Sequence, residues 1–246
     1  MTRLTSCPDA ETVAQRAAAH IERQLAQARE LRGVAHLALS GGTTPGRTYE
    51  LLGGEAQELA DTEVWFADER CVGPEDEQSN YRLAAHTLLD RAGIPAQRVH
   101  RMEGELGPEE GARGYAQLLR ERLPGEGAGG QPHGSLPVLD VIVLGIGPDG
   151  HVASLFPGAS TLDAGEQAVC LGVRDSPKPP PERITLSLAV LRAARGCLLL
   201  ATGASKADAV AAMLAQPSRH VPASLLRRER LTVIVDDAAA PGGSSR

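Results

Sequence analysis

The segment Val138–Leu144 constrains the fold more than any other: it is nearly all β-branched residues or leucine, and Gly145 follows at once. Such a run fits a strand covered on both faces, as central strands of parallel sheets are. Similar short apolar runs recur at Ala35–Leu39, Val64–Ala67, 168–173, 184–188, 196–201 and 231–235. Between them lie stretches with helical periodicity. Residues 8–32 open at Pro8, stop at Gly33 and place Val13, Ala17, Ile21, Leu25 and Ala28 on one stripe. Further helices are expected at 45–52, from a Ser79 cap through Leu89, at 108–122 and at 205–215. Strands alternating with helices predict an α/β domain with a mainly parallel sheet. In such sheets ligands bind beyond the carboxyl ends of the strands, so the loops at 40–46, 68–80, 145–158 and 202–206 should converge on one crevice.

At 246 residues the chain is long enough for one large domain or two small ones, and no disulfide or metal staple is needed to hold its core. A single domain over 1–237 is expected, with Pro124–Pro137 a Gly- and Pro-rich surface loop and 238–246 a disordered tail. Composition excludes several functions. Only six residues are aromatic and the formal charge is −6, which disfavours nucleic-acid binding with its stacking platforms and basic footprint. Cys7, Cys71, Cys170 and Cys197 are far apart and form no C-x-x-C pair, so zinc is not expected and reduced thiols of a cytoplasmic protein are. No signal-peptide pattern opens the chain, and no apolar run approaches a membrane span.

Four loops carry polar groups suited to chemistry. In Ser40-Gly41-Gly42-Thr43-Thr44-Pro45-Gly46 the glycines let backbone approach a ligand, the threonines add hydroxyls, and the following helix presents free N–H groups. That describes a phosphate cradle, although a plain strand-to-helix turn has the same outline. Asp68-Glu69-Arg70 follows a strand and either positions a substrate or pairs internally. Gly145-Ile146-Gly147-Pro148-Asp149-Gly150-His151 contains a literal G-x-G-x-x-G. A dinucleotide site does not follow from it, because Asp149 would meet the pyrophosphate and the chain breaks again at Pro157-Gly158. What the turn does offer is Asp149 and His151 at the end of the central strand. Finally, Arg183 precedes an apolar stretch, and Lys206 follows a glycine turn at a helix start, where ammonium and helix N-terminus reach one anion. Of 25 basic residues only Lys178 and Lys206 are lysines; Lys178 lies in the stiff segment Ser176-Pro177-Lys178-Pro179-Pro180-Pro181.

Taken together, these segments resemble the 6-phosphogluconolactonase family over nearly the whole chain. The matching residues are Ser40–Pro45, Phe66–Arg70, Ser79-Asn80-Tyr81, Gly145–His151 with Ala153–Pro157, Ser176–Pro181 with Arg183-Ile184-Thr185, and Gly203 with Lys206. The resemblance implies a Rossmann-like three-layer α/β/α fold, similar to glucosamine-6-phosphate deaminase and ribose-5-phosphate isomerase. It implies hydrolysis of 6-phospho-D-glucono-1,5-lactone to 6-phospho-D-gluconate in the oxidative pentose phosphate pathway, with no metal or organic cofactor. The partner implied is a small sugar phosphate, bound by a monomer or small homo-oligomer, with no nucleic acid and no membrane. On this reading His151 takes a proton from the attacking water, oriented by Asp68 or Asp149. Arg70 stabilises the oxyanion or binds the phosphate, while Ser40, Gly41, Gly42, Thr43, Thr44, Arg183 and Lys206 hold the phosphate. A deaminase is the nearest alternative, but it carries a tyrosine where Arg70 stands and a glutamate shortly after the histidine, and Val152–Phe156 contains no acid. The other alternative is a non-catalytic sugar-phosphate sensor, which would not need to keep Asp149 and His151 beside the phosphate residues.

Overall fold

The computed structural model describes residues 2–54, 59, 61–123 and 136–242, and among these it has nine strands and seven α-helices. The strands are β1 (Arg3–Cys7), β2 (Ala35–Leu39), β3 (Thr62–Phe66), β4 (Asp68–Arg70), β5 (Val141–Gly145), β6 (Cys170–Val173), β7 (Arg183–Leu186), β8 (Gly196–Ala201) and β9 (Leu231–Asp236). The helices are α1 (Ala10–Arg32), α2 (Thr43–Leu52), α3 (Asn80–Ala84), α4 (Asp90–Ala92), α5 (Pro108–Arg122), α6 (Leu188–Ala193) and α7 (Ala207–Leu214).

Six strands form a parallel sheet in the order β1-β9-β8-β5-β2-β3. The expected apolar run is its central strand, with Val141 to Leu144 all buried. It begins at Val141 rather than Val138; just before it the Asp140 N–H donates to the His36 carbonyl at 3.0 Å, and the Asp140 carboxylate accepts the His36 N–H at 2.9 Å and pairs with Arg32 at 2.6 Å and Arg195 at 3.2 Å. From β5 the chain order runs to β2 on one side and β8 on the other. The connections leaving these three strands therefore diverge and open a crevice at their carboxyl ends.

Asp9 caps α1, accepting the Thr12 N–H at 2.7 Å, and the helix buries Val13, Ala17, Ile21, Leu25 and Ala28. Its apolar stripe packs against β1, β2, β5, β8 and β9. Full burial of Ile21 and Leu25 alone contributes roughly 1.5–3 kcal/mol each. A second sheet, antiparallel in the order β4-β7-β6, lies beside the first and carries α5 on β6 and β7.

Several elements differ from what the sequence suggests. Strand β1 was not anticipated; it pairs with β9 at the edge, and its exposed residues hide the alternating signal. Asp68–Arg70 is a strand rather than a loop, because β7 offers it a ladder partner from far along the chain. The helix expected to start at Pro45 starts at Thr43, and the stretch after the Ser79 cap changes to a π-helical turn over Ala85–Leu89. Residues 205–215 begin as a 3-10 turn, Ala204–Lys206, before α7. Of the expected loop at 124–137, residues 124–135 lie outside the described residues, as do residues 243–246 of the expected tail. Within that tail, Ala239 is buried and donates its N–H to Asp236 at 2.8 Å.

Candidate active site

The loops at the carboxyl ends of β2, β5 and β8 meet in a cleft of about 220 Å³. Ser40–Pro45, Gly145–Gly147, His151, Thr202 and Lys206 line it, and the second sheet contributes Asp68, Arg70, Lys178 and Arg183. Every residue named from the sequence as catalytic or phosphate-binding lines this cleft except Asp149, which sits directly behind His151.

After β5 the chain turns back on itself: the Gly147 N–H donates to the His151 carbonyl at 3.0 Å, and the Gly150 N–H to the Gly147 carbonyl at 2.9 Å. The imidazole folds over Gly147 so closely that a Cβ there would sit 2.0 Å from Nδ1. Only glycine fits beneath the ring. Nδ1 lies 2.6 Å from Asp149 Oδ1, which assigns the ring proton to Nδ1 and leaves Nε2 as the basic nitrogen. Burial pushes the imidazole below its usual 6.5; the Asp149 hydrogen bond and charge pull it up, and the Lys178 ammonium opposes them. The net effect keeps His151 neutral near pH 7. Burial also pushes the Asp149 carboxyl up, but His151 and Lys178 outweigh it, so Asp149 stays ionised below its usual range.

Of the two carboxylates considered for orienting His151, it is Asp149 that touches the ring. Asp68 is buried and occupied: it accepts from Ser154 Oγ at 2.7 Å and from Asn80 Nδ2 at 3.1 Å. It thereby ties the turn after His151 to the second sheet. Glu69, also buried, accepts from the N–H groups of Arg70, Asn80 and Tyr81 and from Ser79 Oγ, at 2.7 to 3.0 Å, and so fixes the start of α3. Even with four donors, burial holds its carboxyl above the ordinary value.

Ser40 is structural in its polar groups. Its Oγ donates to the Val143 carbonyl at 2.8 Å, and its N–H donates to Tyr49 Oη at 3.0 Å. The open donors of this loop are those of the α2 N-terminus, where first-turn N–H groups have no intrahelical acceptor. Gly41 passes so close to Asn80 that a Cβ would lie 1.9 Å from Oδ1. Thr44 Oγ1 shares a hydrogen bond of 2.6 Å with Thr202 Oγ1, joining the ends of β2 and β8. Arg70 donates from Nη1 to the Gln78 carbonyl at 2.5 Å, while its Nε is buried with no partner among the described residues. Arg183 is buried, and its Nε and Nη2 donate to carbonyls of Lys178, Pro179 and Pro180 at 3.1 to 3.2 Å.

Lys206 stands at the end of the 3-10 turn that leads into α7. Burial lowers its ammonium below 10.5, Lys178 adds repulsion, and Asp149 pulls the other way. The second cleft lysine, Lys178, was not among the residues assigned a role from sequence, although its rarity was a signal. Its Nζ lies 3.6 Å from Asp149 Oδ1 and 3.5 Å from His151 Nδ1. Among the described residues no group of three or more His, Cys, Asp or Glu lies together to hold a metal ion. All four cysteines are free, and no helix among the described residues is long and apolar enough to cross a membrane.

Comparison with known proteins places this cleft in context. The family model described as glucosamine-6-phosphate isomerases/6-phosphogluconolactonase matches residues 8–235. A 6-phosphogluconolactonase of Streptomyces coelicolor is 39% identical over 243 residues, covering 94% of this chain and 91% of the relative. The human 6-phosphogluconolactonase is 40% identical over 185 residues, covering 74% and 68%. The crystal structure of 6-phosphogluconolactonase from Leishmania guyanensis superposes with a TM-score of 0.84 at 29% identity, covering all of both chains.

Proposed function

This chain belongs to the glucosamine-6-phosphate isomerase/6-phosphogluconolactonase family, and from that premise we propose that its cleft hydrolyses 6-phospho-D-glucono-1,5-lactone with His151 as general base. The coarser activity, hydrolysis of a sugar-phosphate lactone in the pentose phosphate pathway, is that of its lactonase relatives. The observation that carries the finer reading is a neutral imidazole whose Nδ1 is locked on Asp149, in a cleft that also holds the chain's only two lysines.

The substrate is a cyclic ester, already activated, so it needs a water, a base and charge stabilisation. The lactone phosphate lies at the N-terminus of α2 beside Lys206, where backbone N–H groups and an ammonium face one dianion. Lys206 and Lys178 repel each other in the free protein, and a phosphate between the loops relieves that repulsion. The anchored phosphate fixes the lactone carbonyl near His151, which lowers the entropic part of the barrier. Nε2 of His151 takes a proton as water oxygen attacks C1, and the carbonyl becomes an oxyanion. Asp149 stabilises the imidazolium formed. Arg70, with its one unpartnered buried nitrogen, supplies positive charge at the cleft wall for the oxyanion or the phosphate. Collapse breaks the bond from C1 to the ring oxygen, which takes the proton back from His151, and the open-chain acid loses a proton to solvent.

The assay that tests this follows lactone disappearance, ammonia release and ketose formation in parallel. Lactone loss well above the spontaneous rate, with neither other product, supports the reading. Ammonia or ketose would assign the cleft to the isomerase side of the family, and no turnover at all would favour a sugar-phosphate sensor.

A further inference from the structure

Lys178 is carried by a loop with few means of holding itself. Residues 176–181 join β6 to β7 and include four prolines, which have no N–H to donate. Ser176 supplies part of the scaffold: its N–H donates to the Pro181 carbonyl at 3.0 Å, and its Oγ donates to the Lys178 carbonyl at 2.8 Å. The rest comes from one guanidinium. Arg183 Nε donates to the Pro180 carbonyl at 3.1 Å, and Nη2 donates to the carbonyls of Lys178 at 3.1 Å and Pro179 at 3.2 Å. Three successive carbonyls thus converge on a side chain that is itself 5% exposed.

That guanidinium does not lean on its loop alone. Its carbon sits 5.7 Å from the centre of the Phe156 ring, and Phe156 packs against the His151 imidazole at 4.7 Å between centroids. Arg183 is also the first residue of β7, in register with Arg70 of β4 and Val173 of β6. It is therefore fixed from the backbone, from the aromatic face and from the loop it holds. At the far end of this chain of contacts, the Lys178 ammonium meets the same Oδ1 of Asp149 that receives the His151 ring proton.

We propose that Arg183 is a positioning residue that acts through Lys178: it sets the 176–181 loop so that the lysine ammonium rests on the Asp149–His151 pair and holds the imidazole ready to take a proton. This rests on the reading of His151 as the base, and it stands beside the phosphate role expected for Arg183 from sequence. Planar fork geometry is what the task requires, since a lysine in its place is a single point donor and cannot span three carbonyls. The charged groups facing His151 are Asp149 and Lys178 at contact distance and Asp68 beyond them; Lys206 acts on Lys178 and Asp149 from across the cleft. Burial is the main cause that holds His151 below its usual value; among the charged groups the two carboxylates favour protonation of the ring and Lys178 opposes it.

The test is an NMR titration of the His151 ring in the free protein, with its signal assigned by its loss in His151→Gln. Lys178→Ala alters a side chain that is 40% exposed, so the fold is expected to survive. Its His151 midpoint should rise by about half a unit to one unit, the scale of losing one nearby like charge. Arg183→Lys, which keeps a positive charge, should move the midpoint in the same direction. The double variant should match Lys178→Ala alone. A wild-type midpoint in Lys178→Ala overturns the proposal. So does a further shift when Arg183→Lys is added to Lys178→Ala, or an Arg183→Lys variant that loses product affinity with His151 unmoved. Because the titration needs no lactone, shifted midpoints with an unchanged pH profile of kcat/KM would leave the positioning role standing and remove His151 as the base.

Discussion

Among the described residues, two histidine–carboxylate pairs of equal length stand in different surroundings. His151 Nδ1 lies 2.6 Å from Asp149 Oδ1, and His100 Nε2 lies 2.6 Å from Glu63 Oε2. Each imidazole also has an aromatic neighbour: Phe156 at 4.7 Å for the first, and Trp65, stacked at 4.0 Å, for the second. The surroundings separate them. His100 is 7% exposed and belongs to a packed group in which Trp65 Nε1 donates to His36 Nδ1 and Tyr115 Oη donates to the His100 carbonyl. His151 opens onto the cleft, between two lysines and the N-terminus of α2. A carboxylate-paired histidine is thus not a base by virtue of the pair. In the proposed mechanism it is position, beyond the carboxyl end of a central strand and beside the lysines of the cleft, that distinguishes His151 from His100.

The largest contrast should come from removing each ring. His151→Gln is expected to lower kcat by about 10²–10⁴-fold, the usual worth of a general base, with product affinity little changed. His100→Gln should leave kcat intact and instead reduce stability by on the order of 1–3 kcal/mol, because Glu63 and the Trp65 stack lose a partner. Steady-state assays after subtraction of spontaneous hydrolysis, paired with thermal melts, would check both; equal kcat losses would erase the distinction.

Next comes the carboxylate. Asp149→Asn preserves shape but favours the wrong ring tautomer, and losses approaching about 10⁴-fold occur for such changes in catalytic triads. Glu63→Gln should cost activity nothing. A smaller effect is expected at the proposed phosphate end of the cleft. Lys206→Ala should weaken product binding about 10- to 100-fold by calorimetry, the equivalent of one charge-assisted hydrogen bond. A lactone lacking the phosphate should be hydrolysed equally by Lys206→Ala and the parent protein.

The smallest effect is shared by both regions. His151 and His36 are each displaced below 6.5, chiefly by burial. The unfolded chain then binds more protons than the native one once pH falls beneath 6.5, so stability declines as pH drops from there through the folded values. Urea midpoints between pH 7 and pH 5 should fall for the parent protein and fall less for His36→Gln.

Legibility in the sequence followed the range of the forces involved. The α/β alternation, the central strand and the convergence of four loops were readable, because apolar runs, helical periodicity and glycine turns are local signals. Asp68–Arg70 was not readable as strand, since its partner β7 lies more than a hundred residues away. Edge strand β1 was missed because most of its residues face solvent. Within the site, residue types alone left Asp68 and Asp149 as alternatives for orienting His151; only geometry shows that Asp149 touches the ring while Asp68 accepts from Ser154 and Asn80. Ser40 and Arg183 were legible as members of the cleft, but the carbonyls that Ser40 Oγ and Arg183 Nε and Nη2 bond were not, because such long-range or loop partners leave no mark in the residue type.

The central claim, that His151 is the base, is tested most directly by setting the acid limb of the kcat/KM profile beside the His151 ring titration in the same buffer. The account predicts that the two coincide, and that both midpoints lie below the 6.5 of an unperturbed imidazole. An acid limb that departs from the ring titration, or that persists unchanged in His151→Gln, would contradict it.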